Sequence, residues 1–95
     1  MSFVLVTTAN ARRDIQEEID WENRRQLGLG KRFLIDLDEK LSALVTTPYL
    51  GSVRYLDVRC LPTYIFQYLI HYTVDEVNQR IVILRVLHTS RKPAW

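Results

Sequence analysis

The chain has 95 residues, 47% hydrophobic and 25% charged, with a formal net charge of +2. That is an ordinary globular balance and one domain, residues 1–95, with a single core and little to spare. No apolar run approaches the ~20 residues that span a bilayer, and the N-terminus lacks the charged start and long apolar core of a signal peptide. The single Cys60 cannot form an internal disulfide, so a disulfide scaffold is excluded and a reducing cytoplasm is the expected setting.

The charge is unevenly spread. Nine of the eleven acidic residues lie at or before Asp57, whereas the segment from Arg80 onward holds four Arg or Lys and no acid. Such a basic third suits a polyanion or an acidic protein segment, and it equally suits a solvated strand end with a basic tail.

In chain order, residues 3–7 read as a short strand. Thr8 is placed to cap a helix, because its side-chain oxygen can accept an orphan backbone N–H. Residues 9–26 turn helical, with Ala11, Ile15 and Ile19 at spacing four and Trp21 or Asn23 extending the stripe less cleanly. Asp14, Glu17, Glu18 and Asp20 precede Arg24 and Arg25, an order that suits the helix dipole and reads as helix-face charge. Leu27-Gly28-Leu29-Gly30 is a natural break. A second helix over 29–45 carries Phe33, Leu34, Leu37, Leu41 and Leu44 as its apolar stripe, with Asp36 among the charges assigned to its other sides.

Past Pro48 the period drops to two. Residues 53–59 alternate as one strand, and Cys60-Leu61-Pro62-Thr63 is read as a turn. The longest strand-like run follows, from Pro62 to Asp75. Tyr64, Phe66, Tyr68, Ile70 and Tyr72 line one face, expected to be core, and Ile65, Gln67, Leu69 and His71 line the other. A polar turn over 75–79 leads to a last strand over 80–88. The expected fold is α+β, in the order β-α-α-β-β-β. A helical hairpin packs on one face of a small, mainly antiparallel sheet and leaves the other face partly open.

The residues carry a family resemblance over nearly the whole chain. Ala9-x-Ala11-x-x-Asp14-Ile15 opens the first helix, and a Leu-rich second helix ends before Pro48. Val58-Arg59, Tyr72-x-Val74-Asp75 and Val86-Leu87-His88-x-x-Arg91-x-Pro93 follow, with a closing Trp95. In this order they resemble the RelE/ParE superfamily of bacterial type II toxin–antitoxin modules, also called plasmid-stabilisation proteins. The resemblance implies a growth-arresting toxin held inactive, in a hetero-oligomer, by a cognate antitoxin. It also implies one of two activities. RelE-like members cut mRNA in the ribosomal A site, and ParE-like members poison DNA gyrase.

Metal-independent RNA cleavage needs a base for the 2′-OH, an acid for the leaving oxygen and cations around the phosphate. Arg54, Arg59, Arg85, Arg91 and Lys92 offer charge, and His88 is the titratable group suited to proton transfer near neutrality. The resemblance implies a cluster on the open sheet face and at the start of the tail. Arg59, Arg85, His88 and Arg91 match those places, with only His71 or Tyr72 to nominate as the second proton-transfer group. Parity is against assembly: in a regular strand Arg85 sides with Ile83 and Leu87, and His88 with Val82, Leu84 and Val86, so the two point oppositely. Plainer roles compete throughout. They are a strand-end histidine bonded to a carbonyl, a structural His71 and an Arg85 stem laid over apolar neighbours.

Two histidines and one cysteine give no metal-ligand spacing, and no glycine-rich phosphate loop is present, so no metal and no cofactor are expected. Three readings therefore stay open: a gyrase-binding toxin, a ribosome-dependent mRNA endonuclease, and a member that survives as a non-toxic binding module. The antitoxin segment is expected to be acidic and amphipathic and to lie along the helical hairpin and the sheet edge.

Overall fold

Thr8 decides how the chain leaves its first strand. In the computed structural model, which describes residues 3–63 and 65–89, Thr8 is extended and its Oγ1 accepts the Ala11 N–H at 3.1 Å. The same hydroxyl donates to the Leu84 carbonyl, so one side chain both caps the helix and ties it to the last strand. The elements are β1 (Val4–Thr7), α1 (Ala9–Arg25), α2 (Leu29–Thr46), β2 (Ser52–Tyr55), β3 (Val58–Thr63), β4 (Tyr68–Asp75) and β5 (Arg80–His88).

The five strands form one sheet in the order β1-β5-β4-β3-β2. β2 to β5 make an antiparallel meander, and β1 joins β5 in parallel. Both helices lie on one face. Ala11, Phe33, Leu37 and Leu44 pack there on Leu61, Tyr68, Ile70, Tyr72, Ile81, Ile83 and Val86. The α+β class and the one-sided hairpin are therefore as the residue pattern predicts.

The hairpin closes because α1 supplies the cap that α2 lacks. Gly28 sits at φ 98° in the left-handed region and brings no side chain to the α2 N-terminus. Asn23 of α1 reaches across instead, its Oδ1 accepting the N–H groups of Gly28 and Gly30 at 3.2 and 2.9 Å. Gly30 also marks the closest approach of the helices, since a Cβ there would lie 2.7 Å from the Ile19 carbonyl oxygen.

Three expectations need correction. The strand expected over 53–59 is a hairpin: β2 ends at Tyr55, Leu56 turns at φ 48°, and Tyr55 pairs back onto Val58. The turn expected at Cys60–Thr63 is strand β3, with Pro62 in the stretch that β2 no longer covers, an edge position proline tolerates. The run from Pro62 to Asp75 is interrupted: Ile65, Phe66 and Gln67 make a turn, with Gln67 at φ 59°, and β4 starts at Tyr68. Phe66 still packs edge-on against Phe33, while Tyr64 lies outside the described residues.

The helix stripes are likewise less apolar than read. Asp14 and Glu22 are buried on α1, and Trp21 is exposed. On α2 it is Asp36, not Leu34, that turns inward.

Candidate functional site

β5 positions two of the nominated residues, Arg85 and His88, and it contains an irregularity. His71 pairs with Arg85 while Tyr72 pairs with Ile83, so Leu84 is an extra residue, a β-bulge. Beyond the bulge, Val86 and His88 oppose Ile70 and Tyr68 on the helix side, and Arg85 and Leu87 oppose His71 and Leu69 on the open side. Arg85 and His88 thus do point oppositely, as parity predicts, although the bulge moves Ile83 to the His88 side.

Arg85 is held firmly. β1 stops pairing at Ile83, which leaves the later edge of β5 uncovered. Asp14 of α1 fills in: its carboxylate accepts the Val86 N–H at 3.1 Å and two bonds from the Arg85 guanidinium, at 2.7 and 3.0 Å. Asp14 is buried, and this pairing holds Arg85 above its ordinary pKa. Residue pattern alone assigned Asp14 to solvent. Its place three residues after Ala11, beside Ile15, was the available sign that it faces inward.

The open face around Arg85 carries a small cavity of ≈ 190 Å³ lined by Arg54, Tyr55, Cys60, Leu69 and His71. The His71 Nδ1 lies 3.0 Å from the Tyr55 hydroxyl and 3.5 Å from the Cys60 Sγ. Burial, then the nearby Arg85 charge, pushes the imidazole below its ordinary value against an opposing pull from Asp14. Burial raises the Tyr55 phenol and the Cys60 thiol. All three are therefore neutral near pH 7, so Cys60 is a thiol and not a ready nucleophile. Tyr72, the other nominee for proton transfer, faces the helix side and is tied up. Its hydroxyl accepts the Gly51 N–H at 2.8 Å and donates to the Pro48 carbonyl at 2.9 Å.

His88 belongs to a different surface. Its ring meets Tyr68 edge-on at 5.0 Å, at the end of a groove between the helical hairpin and the 65–67 turn. Trp21, Ile65 and Phe66 give that groove apolar walls, and Arg25, Arg32 and His88 make it basic. The groove end is braced from below. The Tyr68 hydroxyl donates to Glu18 at 2.6 Å and lies 3.2 Å from the buried Glu22, which in turn pairs with Arg25 at 2.6 Å.

Arg59 sits elsewhere again. It pairs with Tyr72, four positions along β4 from the Tyr68 opposite His88, a separation of roughly 13 Å. Its guanidinium donates to the Gly51 carbonyl at 2.8 Å and covers the Tyr49 ring at 4.9 Å. Arg91 lies outside the described residues. Of the four residues nominated for phosphate and proton chemistry, the three described ones are thus dispersed over three surfaces. Among the described residues no group of three or more His, Cys, Asp and Glu is placed to hold a metal ion, and no helix is long and apolar enough to cross a membrane.

Comparison with known proteins fits this architecture. Residues 5–93 match the family described as the ParE toxin of the type II toxin–antitoxin system, parDE. No curated protein sequence is significantly similar. Among solved structures, the chromosomal ParDE toxin–antitoxin system from P. aeruginosa superposes with a TM-score of 0.78 at 20% identity, over 90% of this chain and 95% of that one. The RelBE2 toxin–antitoxin complex from Mycobacterium tuberculosis gives 0.72 at 24% identity, over 93% and 99%. The isolated E. coli RelE toxin gives 0.68 at 18% identity, over 95% and 87%. At these identities the structures share the fold with this chain, and they include both ParE and RelE systems.

Proposed function

Because the chain belongs to the ParE toxin family of type II toxin–antitoxin systems, we propose that it arrests growth by binding DNA gyrase and that a cognate antitoxin neutralises it. The observation that carries the choice of target is the arrangement on β5. Arg85 and His88 face opposite sides of the sheet, and Arg85 is already committed to Asp14. A nuclease would need an acid, a base and a phosphate-binding cation around one bond. Here the titratable His88 stands with helix-side groups, and the neutral His71 and Tyr55 occupy each other. A toxin that works by binding needs no such convergence.

The antitoxin fits the helix-side groove. An acidic, amphipathic segment would lay apolar side chains against Trp21, Ile65 and Phe66 and its carboxylates against Arg25, Arg32 and His88. The brace through Tyr68, Glu22 and Arg25 holds that end of the groove in shape before binding, which lowers the cost of ordering it.

Purified toxin, released from its antitoxin, should inhibit gyrase supercoiling and leave ribosome-bound mRNA intact. Ribosome-dependent cleavage with gyrase unaffected would replace this reading with the RelE-like one. Normal growth on induction without antitoxin would leave a non-toxic binding module.

A further inference from the structure

At the far end of β4 from the basic groove lies a surface of the opposite character. Tyr49, Val53, Leu56, Val74 and Val77 line a shallow cleft where the β2–β3 and β4–β5 turns meet the segment after α2. Leu56 is 90% exposed and Val77 92%, both at turn tips where a polar residue would be expected. Clustered apolar exposure with a polar rim is how protein-docking surfaces commonly look.

The rim is acidic: Asp57, Asp75 and Glu76 surround the cleft. Asp75 is engaged with Asn78 and Arg80, while Asp57 and Glu76 form no ion pair among the described residues. Among the described residues Arg59 is the one cation lining the cleft, and its guanidinium bonds the Gly51 carbonyl and lies over the Tyr49 ring.

The cleft is also built before any partner arrives. The buried Tyr72 phenol clamps the chain at both Pro48 and Gly51, and Arg59 stacks on Tyr49. The exposed tyrosine is thereby a rigid aromatic anchor beside an arginine, the residue types that dominate binding energy at interfaces.

We infer that this end of the sheet is a second protein-docking surface. Its occupant is a target-protein segment that presents apolar side chains between lysines or arginines. Charge selects that occupant. An acidic antitoxin segment and a nucleic acid would both meet uncompensated carboxylates, and a second copy docked patch to patch would oppose Asp57 and Glu76 to their own kind. The inference rests on the reading of the chain as a toxin that acts by gripping a protein, and it names the part that does the gripping.

The test compares full-length wild type with two double variants. Leu56→Asn with Val77→Ser removes the apolar tips, and asparagine suits the positive φ of position 56, so folding is spared. Asp57→Lys with Glu76→Lys reverses the rim. Each should weaken binding to immobilised purified gyrase by about tenfold or more, and blunt growth arrest, with antitoxin affinity within about twofold of wild type. Unchanged gyrase binding together with unchanged growth arrest would overturn the inference. So would a loss confined to antitoxin binding, or one confined to a labelled single-stranded RNA. Wild type that ignores gyrase would end the gyrase reading alone. Growth arrest by the variants would then decide the surface: impaired arrest supports it and full arrest removes it.

Discussion

The two ends of β4 solve the same construction problem and come out with opposite surfaces. At one end, Tyr68 is buried and its hydroxyl fastens α1 through Glu18 and Glu22. Toward the other, roughly 13 Å along the strand, Tyr72 is buried and its hydroxyl fastens the segment after α2 through Pro48 and Gly51. Each phenol rigidifies a nearby cleft. Around Tyr68 the cleft gathers Arg25, Arg32 and His88, and beyond Tyr72 it gathers Asp57, Asp75 and Glu76. A formal charge of +2 conceals this polarity. A small binding protein can thereby offer one end to an acidic partner and the other to a basic one without a change of fold.

The largest expected effect breaks the basic end. Reversing Arg25 and Arg32 to glutamate should weaken antitoxin binding by about a hundredfold, read by calorimetry. Because Arg25 is paired with the buried Glu22, Arg32→Glu alone, at an exposed side chain, separates the lost contact from a loosened brace. Equal affinity for the double variant would remove the groove from the antitoxin contact.

Next in size is Asp14→Ala. It strands the Val86 N–H and frees Arg85, and should cost about 2 kcal/mol in urea unfolding. The ion pair contributes little of that, since the Arg85 side chain is 43% exposed. A loss below a few tenths would show that water replaces the carboxylate at the β5 edge.

Tyr72→Phe probes the opposite brace. Losing the bonds to Gly51 and Pro48 should cost about 1 to 2 kcal/mol and speed amide exchange at Gly51, while exchange at the groove end stays as in wild type. Uniform acceleration would mean the two ends are not separately braced.

The smallest effect lies between them. The folded state holds His71 neutral by burial, below its ordinary 6.5. The unfolded chain therefore takes up the proton first. The contribution of His71 to stability is complete above about pH 6.5 and erodes as the pH falls from there toward the depressed folded value. His71→Gln should flatten that slope in melts between neutral and mildly acid pH. An unchanged slope would assign it to other groups.

Much of this was readable in the residues. β1, the Thr8 cap, both helices and β5 each carry their own period or stop signal, and they stand where those signals put them. The middle was not readable, for a physical reason. Leu56 and Gln67 turn the chain in the left-handed region with no glycine to announce it. The Ile65-Phe66-Gln67 turn is made of residues that alternate like a strand.

The site was harder still. A bulge has no sequence mark, so parity could say that Arg85 and His88 diverge but not that Ile83 changes company. Asp14 and Asp36 read in the sequence as surface charge because acids usually are, and nothing in the residue pattern singles out Glu22. Only tertiary contacts show Asp14 answering a backbone edge and Glu22 a tyrosine.

Toxicity by binding without chemistry, as proposed, leaves His88 no proton to carry. His88→Phe keeps a ring against Tyr68 and removes every titratable nitrogen at that position. Induced His88→Phe toxin should arrest growth as wild type does, while its antitoxin holds it less tightly. A variant that binds antitoxin normally yet no longer arrests growth would instead place His88 in a reaction.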